Sequence, residues 1–330
     1  MPVRPTTSLS ILILACMTCL QGQVLAQENP SAYPSRPVTM VIPYTPAGPV
    51  DVDTRVYSQR LSDAMGKPFV LDYKPGAGST IGTAYVAKAP PDGYTLLSVT
   101  STLSTNPALY PNLNFDTARD LAPVSLMYTR AFVLLVHPDF PAKSWSEYVA
   151  HVRANPGRVN FGTSGAGGIY HIGGAWLHSE IKARVTYVHY KGANPVLMDT
   201  IAGRVDAIPS TVFNALPHIK AGKVRAIATL SITRSPLLPE LRTVAEQGLA
   251  GFDYSSWGGI LAPAGTPAPI ISRLSGELAK IARTTDVIKR GEADGTVMVG
   301  SSPQAFRELL AAEIARWKTV VKDSAIVLEE

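Results

Sequence analysis

The sequence predicts a layered α/β protein built as two domains around a cleft. Three features carry that prediction. Short β-branched runs alternate with helix-length segments along nearly the whole chain, the pattern of layered α/β architecture. At 330 residues, 46% of them hydrophobic, the chain is too long for one small core and suits two of ordinary size. One local plan also occurs twice: a strand runs into a Pro/Gly/Ser/Thr loop and then a helix, at VTMVIPYTPAGPVDVDTRVYSQRL and again at VNFGTSGAGGIYHIGGAWL. On two α/β lobes, such loops would face each other across a cleft.

The first segment is a leader. MPVRPTTSLSILILACMTCLQGQVLAQ places Arg4 before an apolar core from about Leu9 to Leu20, with Val24-Leu25-Ala26 as a small-residue cleavage site. Residues 1–26 are expected to be a secretory signal peptide, since the apolar run falls short of the roughly 18 residues a spanning helix needs. The mature protein is then expected to start near Gln27, outside the cytoplasm. A competing reading makes Ile13-Leu14-Ala15-Cys16 a lipoprotein box with Cys16 lipidated; the apolar run that continues past it favours simple cleavage. Cys16 and Cys19 are the two cysteines and both lie in the leader, so disulfides, thiolate metal sites and cysteine nucleophiles are excluded from the mature chain.

After the leader, strands are expected at 38–43, 69–73, 94–99, 132–136, 159–161, 184–189, 206–208, 226–230 and 257–261. Helices are expected at 51–65, 80–89, 144–154, 169–180, 195–202, 212–221, 267–283 and 303–322, several opening on Asp, Ser, Thr or Pro and closing on Gly. The Pro/Asn/Asp-rich stretch Asn106–Pro123 reads as a long surface connection. The chain is expected to cross into a second domain near Tyr128 and return near Tyr254. Lobe 1 is then 27–128 plus 254–330, and lobe 2 is 129–253.

Charge and motifs remove several function classes. Only 17% of residues are charged, and the formal net charge of +5 includes no dense basic run, which argues against nucleic acid as a partner. Gly162-Thr163-Ser164-Gly165-Ala166 falls one residue short of a nucleophile elbow, and His171 would precede any acid from Asp199 or Asp206, so a serine hydrolase is the disfavoured alternative. Gly76, Gly78 and Gly82 make G-x-G-x-x-x-G, one residue off the dinucleotide spacing, and the next strand ends in hydroxyls instead of a ribose-binding acid. No cofactor is expected. The histidines show no H-E-x-x-H spacing, so no metal site is expected either. What survives is anion binding without strong charge. Amides at the start of a helix lack intrahelical partners and carry partial positive charge, so a carboxylate can satisfy several at once. Ala47, Gly48, Gly165, Ala166, Gly167 and Gly168 would let a ligand approach the backbone, while Thr45, Thr163, Ser164 and the set Thr100, Ser101 and Thr102 add hydroxyls.

YPSRPVTMVIPYTPAGPVDVDTR, KPGAGSTIGTAYVAKAPPDGYTLL, FGTSGAGGIYHIGG, YKGANPVLMDTIAGRVDA, ALPHIKAGKVRAIA, RSPLLPELRTVAEQGLAGF and WGGILAPAGTPAPII, in that order, resemble the periplasmic solute receptors of tripartite tricarboxylate transporters, the Bug family. The similarity covers essentially the whole mature chain. It implies a two-lobed type II periplasmic binding protein, a Venus-flytrap that closes on a small organic acid and performs no chemistry. It also implies that the loops Tyr44–Asp51 and Thr163–His171 grip a carboxylate, partly through ordered water, with Thr100–Thr102 and Lys191, Gly192 and Ala193 lining the pocket. Asp51 is expected to cap its helix and organise its loop rather than touch the ligand. The expected partners are transporter subunits in the membrane or, alternatively, the periplasmic domain of a sensor kinase, and the receptor itself is expected to be a monomer. Three departures bear on which acid is bound. Pro46-Ala47-Gly48-Pro49 replaces the family's Pro-Gly-Gly, a common serine of the second loop is Gly168, and a common aspartate is Ser210.

Overall fold

The computed structural model describes residues 32–323, so the leader with Cys16 and Cys19 lies outside the described residues. From residue 34 onward the chain begins with β1 (Val38–Ile42), α1 (Pro49–Met65), β2 (Phe69–Tyr73), α2 (Thr80–Ala87), β3 (Thr95–Thr100) and α3 (Thr102–Leu109). Strand β1, VTMVI, is buried along almost its whole length, as an inner strand of a parallel sheet must be, and β2 and β3 flank it in parallel. Helix α1 opens on Pro49 and closes on Gly66 in the left-handed conformation, which returns its amide to the Ser62 carbonyl.

Strand β4 (Leu121–Val136) is the axis of the molecule. Its first part pairs antiparallel with β9 (Ser255–Pro263) through Ala131, and β9 pairs antiparallel with β3. From Phe132 onward β4 pairs with β7 (Ala207–Thr211) and β8 (Arg225–Thr229) instead. Between them lie α4 (Trp145–Ala154), β5 (Asn160–Thr163), α5 (Ile169–Glu180), β6 (Thr186–His189) and α6 (Ala193–Ile201), with β5 parallel to both β6 and β7 and α7 (Val212–Lys220) leading to β8. The chain ends in α8 (Ala268–Ala282), α9 (Thr285–Asp294), β10 (Thr296–Met298), which pairs with β4 at Tyr128–Arg130, and α10 (Pro303–Asp323). The strands thus run β2-β1-β3-β9-β4-β7-β5-β6 across two lobes that share β4.

Each lobe has its own apolar interior. One gathers Val41, Leu97, Val99, Leu261, Trp257 and Phe306; the other gathers Phe132–Val136, Phe161, Tyr170, Ile172 and Ile208. Helix α10 contributes to both, Phe306 and Leu310 to the first and Trp317 and Val320 to the second. Near the changeover, Phe132 stacks on Tyr254 with ring centroids 4.4 Å apart and meets Tyr170 edge-on.

Three readings of the sequence require correction. The stretch from Asn106 to Pro123 is not one surface connection: it begins inside α3 and ends inside β4. The strand expected at 132–136 is only the end of β4, whose earlier part is masked in sequence by Pro123 and by register shifts at 123/125 and 126/128 that break the alternation of faces. Helices α3 and α9 and strand β10 were not among the expected elements.

Candidate functional site

Register fixes where the loops lie. Because β3 and β4 both run against β9, β3 points the same way as β4, and its last residue, Thr100, lies level with Gly258, which pairs with Tyr128. Strand β7 runs against β4, and its last residue, Thr211, pairs with Phe132. The carboxyl ends of β1 and β3 in one lobe and of β5, β6 and β7 in the other therefore open toward each other over Tyr128–Phe132. The four steps from Tyr128 to Phe132 correspond to about 13 Å of strand. Carboxyl ends of strands are where open α/β sheets place their ligands.

On the first side, the 43–48 loop joins β1 to α1, and the Asp51 carboxylate ties it down. Its Oδ2 accepts the Ala47 amide at 2.7 Å, while Oδ1 accepts the Tyr73 hydroxyl at 2.7 Å and Arg55 Nε at 2.8 Å. Burial alone would raise the Asp51 pKa; the bonds from Tyr73, Ala47 and Arg55 outweigh it and hold the group below the usual carboxylate range. Asp51 thus keeps the expected loop role but not the cap, a position that falls to Gly48 with no side-chain cap bond. Ala47 sits at φ +64°, a left-handed conformation unusual for alanine and natural for glycine. The amides of Thr45, Gly48, Val50 and Asp51 have no protein acceptor among the described residues. Beside them the Tyr44 hydroxyl bonds to Thr100 Oγ1 at 2.9 Å and to Thr102 Oγ1, and those two hydroxyls are 3.2 Å apart. Thr102 is the first residue of α3, so this cluster sits on a second helix start.

On the other side, the 164–168 loop joins β5 to α5. Gly165 at φ +137° and Gly167 at φ +67° make the turn, and the Gly168 amide closes it on the Gly165 carbonyl at 3.0 Å. Thr163 Oγ1 lies 3.4 Å from the Gly165 amide and 2.7 Å from His189 Nδ1. The Gly167 amide donates to His171 Nδ1 at 3.0 Å, so this backbone donor belongs to the loop's own scaffold. Burial first, and the neighbouring His189 second, push the His171 pKa down to about 4, keeping the ring neutral and its Nδ1 an acceptor. Among the described residues, the amides of Ser164, Ala166, Ile169 and Tyr170 have no protein acceptor, and no hydrogen bond joins Ser164 to His171.

The remaining predicted residues are spread more widely. Ser101 is buried and gives its amide to the Trp257 carbonyl. Ser210 is buried beneath the site, where the Tyr170 hydroxyl meets it together with Asn214 and the Thr211 backbone. Gly192, at φ +121°, caps α6, whose first residue is Ala193; Lys191 before it is exposed. His189, absent from the sequence-based set, enters through the pairing of Thr163 with His189 in the β5–β6 ladder. Among the described residues no group of three His, Cys, Asp or Glu side chains is arranged to hold a metal ion. The chemistry on offer is therefore that of amides and hydroxyls that can receive negative charge, drawn from the starts of α1, α3 and α5.

The family profile "Tripartite tricarboxylate transporter family receptor" matches residues 54–326. Protein BugT of Bordetella pertussis is 33% identical over 308 residues, covering 93% of this chain and 94% of BugT. Among solved structures, Rpa4515 of R. palustris with adipate superposes with a TM-score of 0.77 at 32% identity, covering 89% of this chain and 99% of that one. MatC from Rhodopseudomonas palustris, with bound malate, gives 0.74 at 31% identity over 88% and 100% of the two chains.

Proposed function

The chain belongs to the receptor family of tripartite tricarboxylate transporters, a family of two-lobed periplasmic binding proteins without enzymatic activity, and from that premise we propose that it is a periplasmic receptor for a small dicarboxylate, which it delivers unaltered to a transporter in the membrane. One observation carries the reading: unpartnered amides at the start of α1 in one lobe and of α5 in the other, with the hydroxyl cluster at the start of α3, open onto the same stretch of β4. One ligand carboxylate is held between the amides of Thr45, Gly48, Val50 and Asp51, the hydroxyls of Tyr44, Thr100 and Thr102, and the amides of Ser164, Ala166, Ile169 and Tyr170. Because these donors are divided between lobes, closure completes the site. Among the described residues the crossings between lobes lie near Tyr128 and Tyr254; the change of β4's partners after Ala131, three residues beyond the first, and the start of β9 at Ser255 support two crossings there. Adipate and malate occupy two structural relatives, and this makes aliphatic dicarboxylates the class to test first.

The test is a thermal-shift screen of mono-, di- and tricarboxylates, aromatic acids and sugars. A ligand at 100 times its Kd adds about 2.7 kcal/mol of stability. At least one aliphatic dicarboxylate is expected to raise the Tm, and Gly167→Val, which forces a β-branched residue to φ +67°, is expected to abolish the rise. A response confined to sugars or uncharged compounds refutes the carboxylate reading.

A further inference from the structure

The buried face of α10 repeats at three- and four-residue intervals as Phe306, Leu310, Glu313, Trp317 and Val320. One of the five is an acid, and it is 6% exposed. Glu313 Oε2 receives the Trp257 indole N–H at 2.7 Å and stands 2.7 Å from Ser104 Oγ. Ser104 Oγ stands 2.7 Å from the Ser101 carbonyl and receives the Trp317 indole N–H at 3.2 Å.

The hydrogens around Ser104 can be counted. A serine hydroxyl has one proton to give and two lone pairs, an indole only donates, and a carbonyl only accepts. If Ser104 gives its proton to an ionised Glu313, its oxygen faces the Ser101 carbonyl at 2.7 Å with no hydrogen between them. If it gives the proton to Ser101, the contact with Glu313 has no hydrogen unless Glu313 carries one. Only a protonated Glu313 fills every contact: Ser104 donates once, to Ser101, and accepts twice, from Trp317 and from the acid.

We infer that Glu313 is kept as a neutral carboxylic acid donating to Ser104, and that it is a positioning residue for ligand binding, fixing the first turn of α3 that carries Thr102. The binding half of this inference rests on the carboxylate-receptor reading above. The groups around the acid fit the assignment. The Arg316 guanidinium, on the same helix, lies over the Trp176 ring at 4.8 Å and donates to the Asp253 carbonyl at 3.1 Å. From β9 comes the neutral Trp257, from α3 the hydroxyl of Ser104, and from the segment before β9 the carboxylate of Asp253. Burial pushes Glu313 above the ordinary glutamate range and the Asp253 charge adds to it, against the bonds from Trp257 and Ser104 and the charge of Arg316. Helix α10 also packs against α5, where Trp317 meets Trp176 edge-on at 5.7 Å, so one helix lies behind both α3 and α5.

Glutamine cannot ionise, but both contacts fall on Oε2: an amide oxygen there accepts from Trp257 without donating to Ser104, and an NH2 there donates to Ser104 but faces the Trp257 N–H, so glutamine keeps one contact of the two. The experiment compares wild type, Glu313→Gln and Glu313→Ala. Difference infrared spectra at pH 7 should show a protonated carboxyl stretch in wild type that is missing in Glu313→Gln. A raised folded pKa means the native state holds its proton longer than the unfolded chain, so wild type should lose stability relative to Glu313→Gln as pH rises from about 4.5 through the folded value. Adipate affinity should fall roughly tenfold in Glu313→Ala, the equivalent of losing one hydrogen-bonded anchor, and by less in Glu313→Gln, which keeps one of the two contacts. An ionised carboxyl in the wild-type spectra, or a wild type that gains stability over Glu313→Gln as pH rises above about 4.5, overturns the neutral-acid assignment. Unchanged adipate affinity in Glu313→Ala overturns the positioning role. If adipate fails to bind wild type, other acids from the thermal-shift screen take its place, while the spectroscopic and pH comparisons still decide the protonation state.

Discussion

The first loop stores a testable conflict between Ala47 and Asp51. Alanine at φ +64° costs about 1–2 kcal/mol relative to its preferred conformations, and the bond from its amide to the buried Asp51 carboxylate offsets that cost. A hydrogen bond to a charged group is worth about 1.5–3 kcal/mol, whereas the Arg55 pair, whose cation is mostly exposed, adds at most about 1. Asp51→Asn leaves one oxygen to accept and turns an NH2 group toward another donor. Once the bond to Ala47 is lost, the loop is free to leave the left-handed conformation and recover its strain, so the net cost in the native background is about 1–2 kcal/mol. In Ala47→Gly there is no strain to recover. That variant alone should gain roughly 0.5–1 kcal/mol, after allowance for the freedom glycine adds to the unfolded chain, and Asp51→Asn within it should cost about 2–3 kcal/mol. Urea denaturation of the four proteins closes the double-mutant cycle. Additivity within about 0.3 kcal/mol, or a loss of stability in Ala47→Gly, would refute the argument.

Three further predictions concern pH, packing and the hydroxyl cluster. His171 and His178 both sit near pKa 4 because burial disfavours their charged forms, so the unfolded chain binds more protons between pH 4 and 6.5. Stability should fall as pH drops through that window, by up to roughly 3 kcal/mol for each ring, and the Tm–pH slope should be about halved in His171→Gln. Gly173→Ala would set a methyl 2.1 Å from the Tyr254 ring, which is locked against Phe132; a loss of at least about 1–3 kcal/mol is expected by denaturation, and wild-type stability would show that α5 can shift. Tyr44→Phe removes the hydroxyl shared by Thr100 and Thr102 and should weaken dicarboxylate binding about three- to tenfold by calorimetry with little change in Tm, whereas unchanged affinity would remove that cluster from the site.

Much of the fold was legible where local signals agreed. Helix 169–180 and strand 69–73 fall where their patterns place them, because Gly-rich turns and apolar periodicity mark the same limits. Helix α3 was not legible: its Thr/Ser-rich sequence contains Pro107, and its place is set by packing on α10, with Ser104 bonded to Glu313. The loops themselves were legible, but the destinations of their amides were not. That the Gly167 amide is committed to His171, or that His189 reaches Thr163, follows from helix geometry and from the β5–β6 register, neither of which is written in a single segment.

The same accounting explains how such a site can release its ligand. Each helix start presents about half an elementary charge, so the two that offer unpartnered amides, α1 and α5, together match one carboxylate without a fixed cation, each adding typically 0.3–1 kcal/mol. An arginine in the cleft would have to give up its hydration each time the lobes closed, at a cost of several kcal/mol that its contact with the ligand must offset. Arg130, on β4 between Tyr128 and Phe132, is already paired with Asp53 at 2.9 Å, and its charge is spent within the scaffold. Amides opened to water simply exchange a carboxylate for solvent, and binding is then governed by how well the two lobes meet. On this reading, substitutions that shift closure should change affinity as strongly as those that touch the ligand, and Glu313, behind α3, is the buried position where the two effects can be separated.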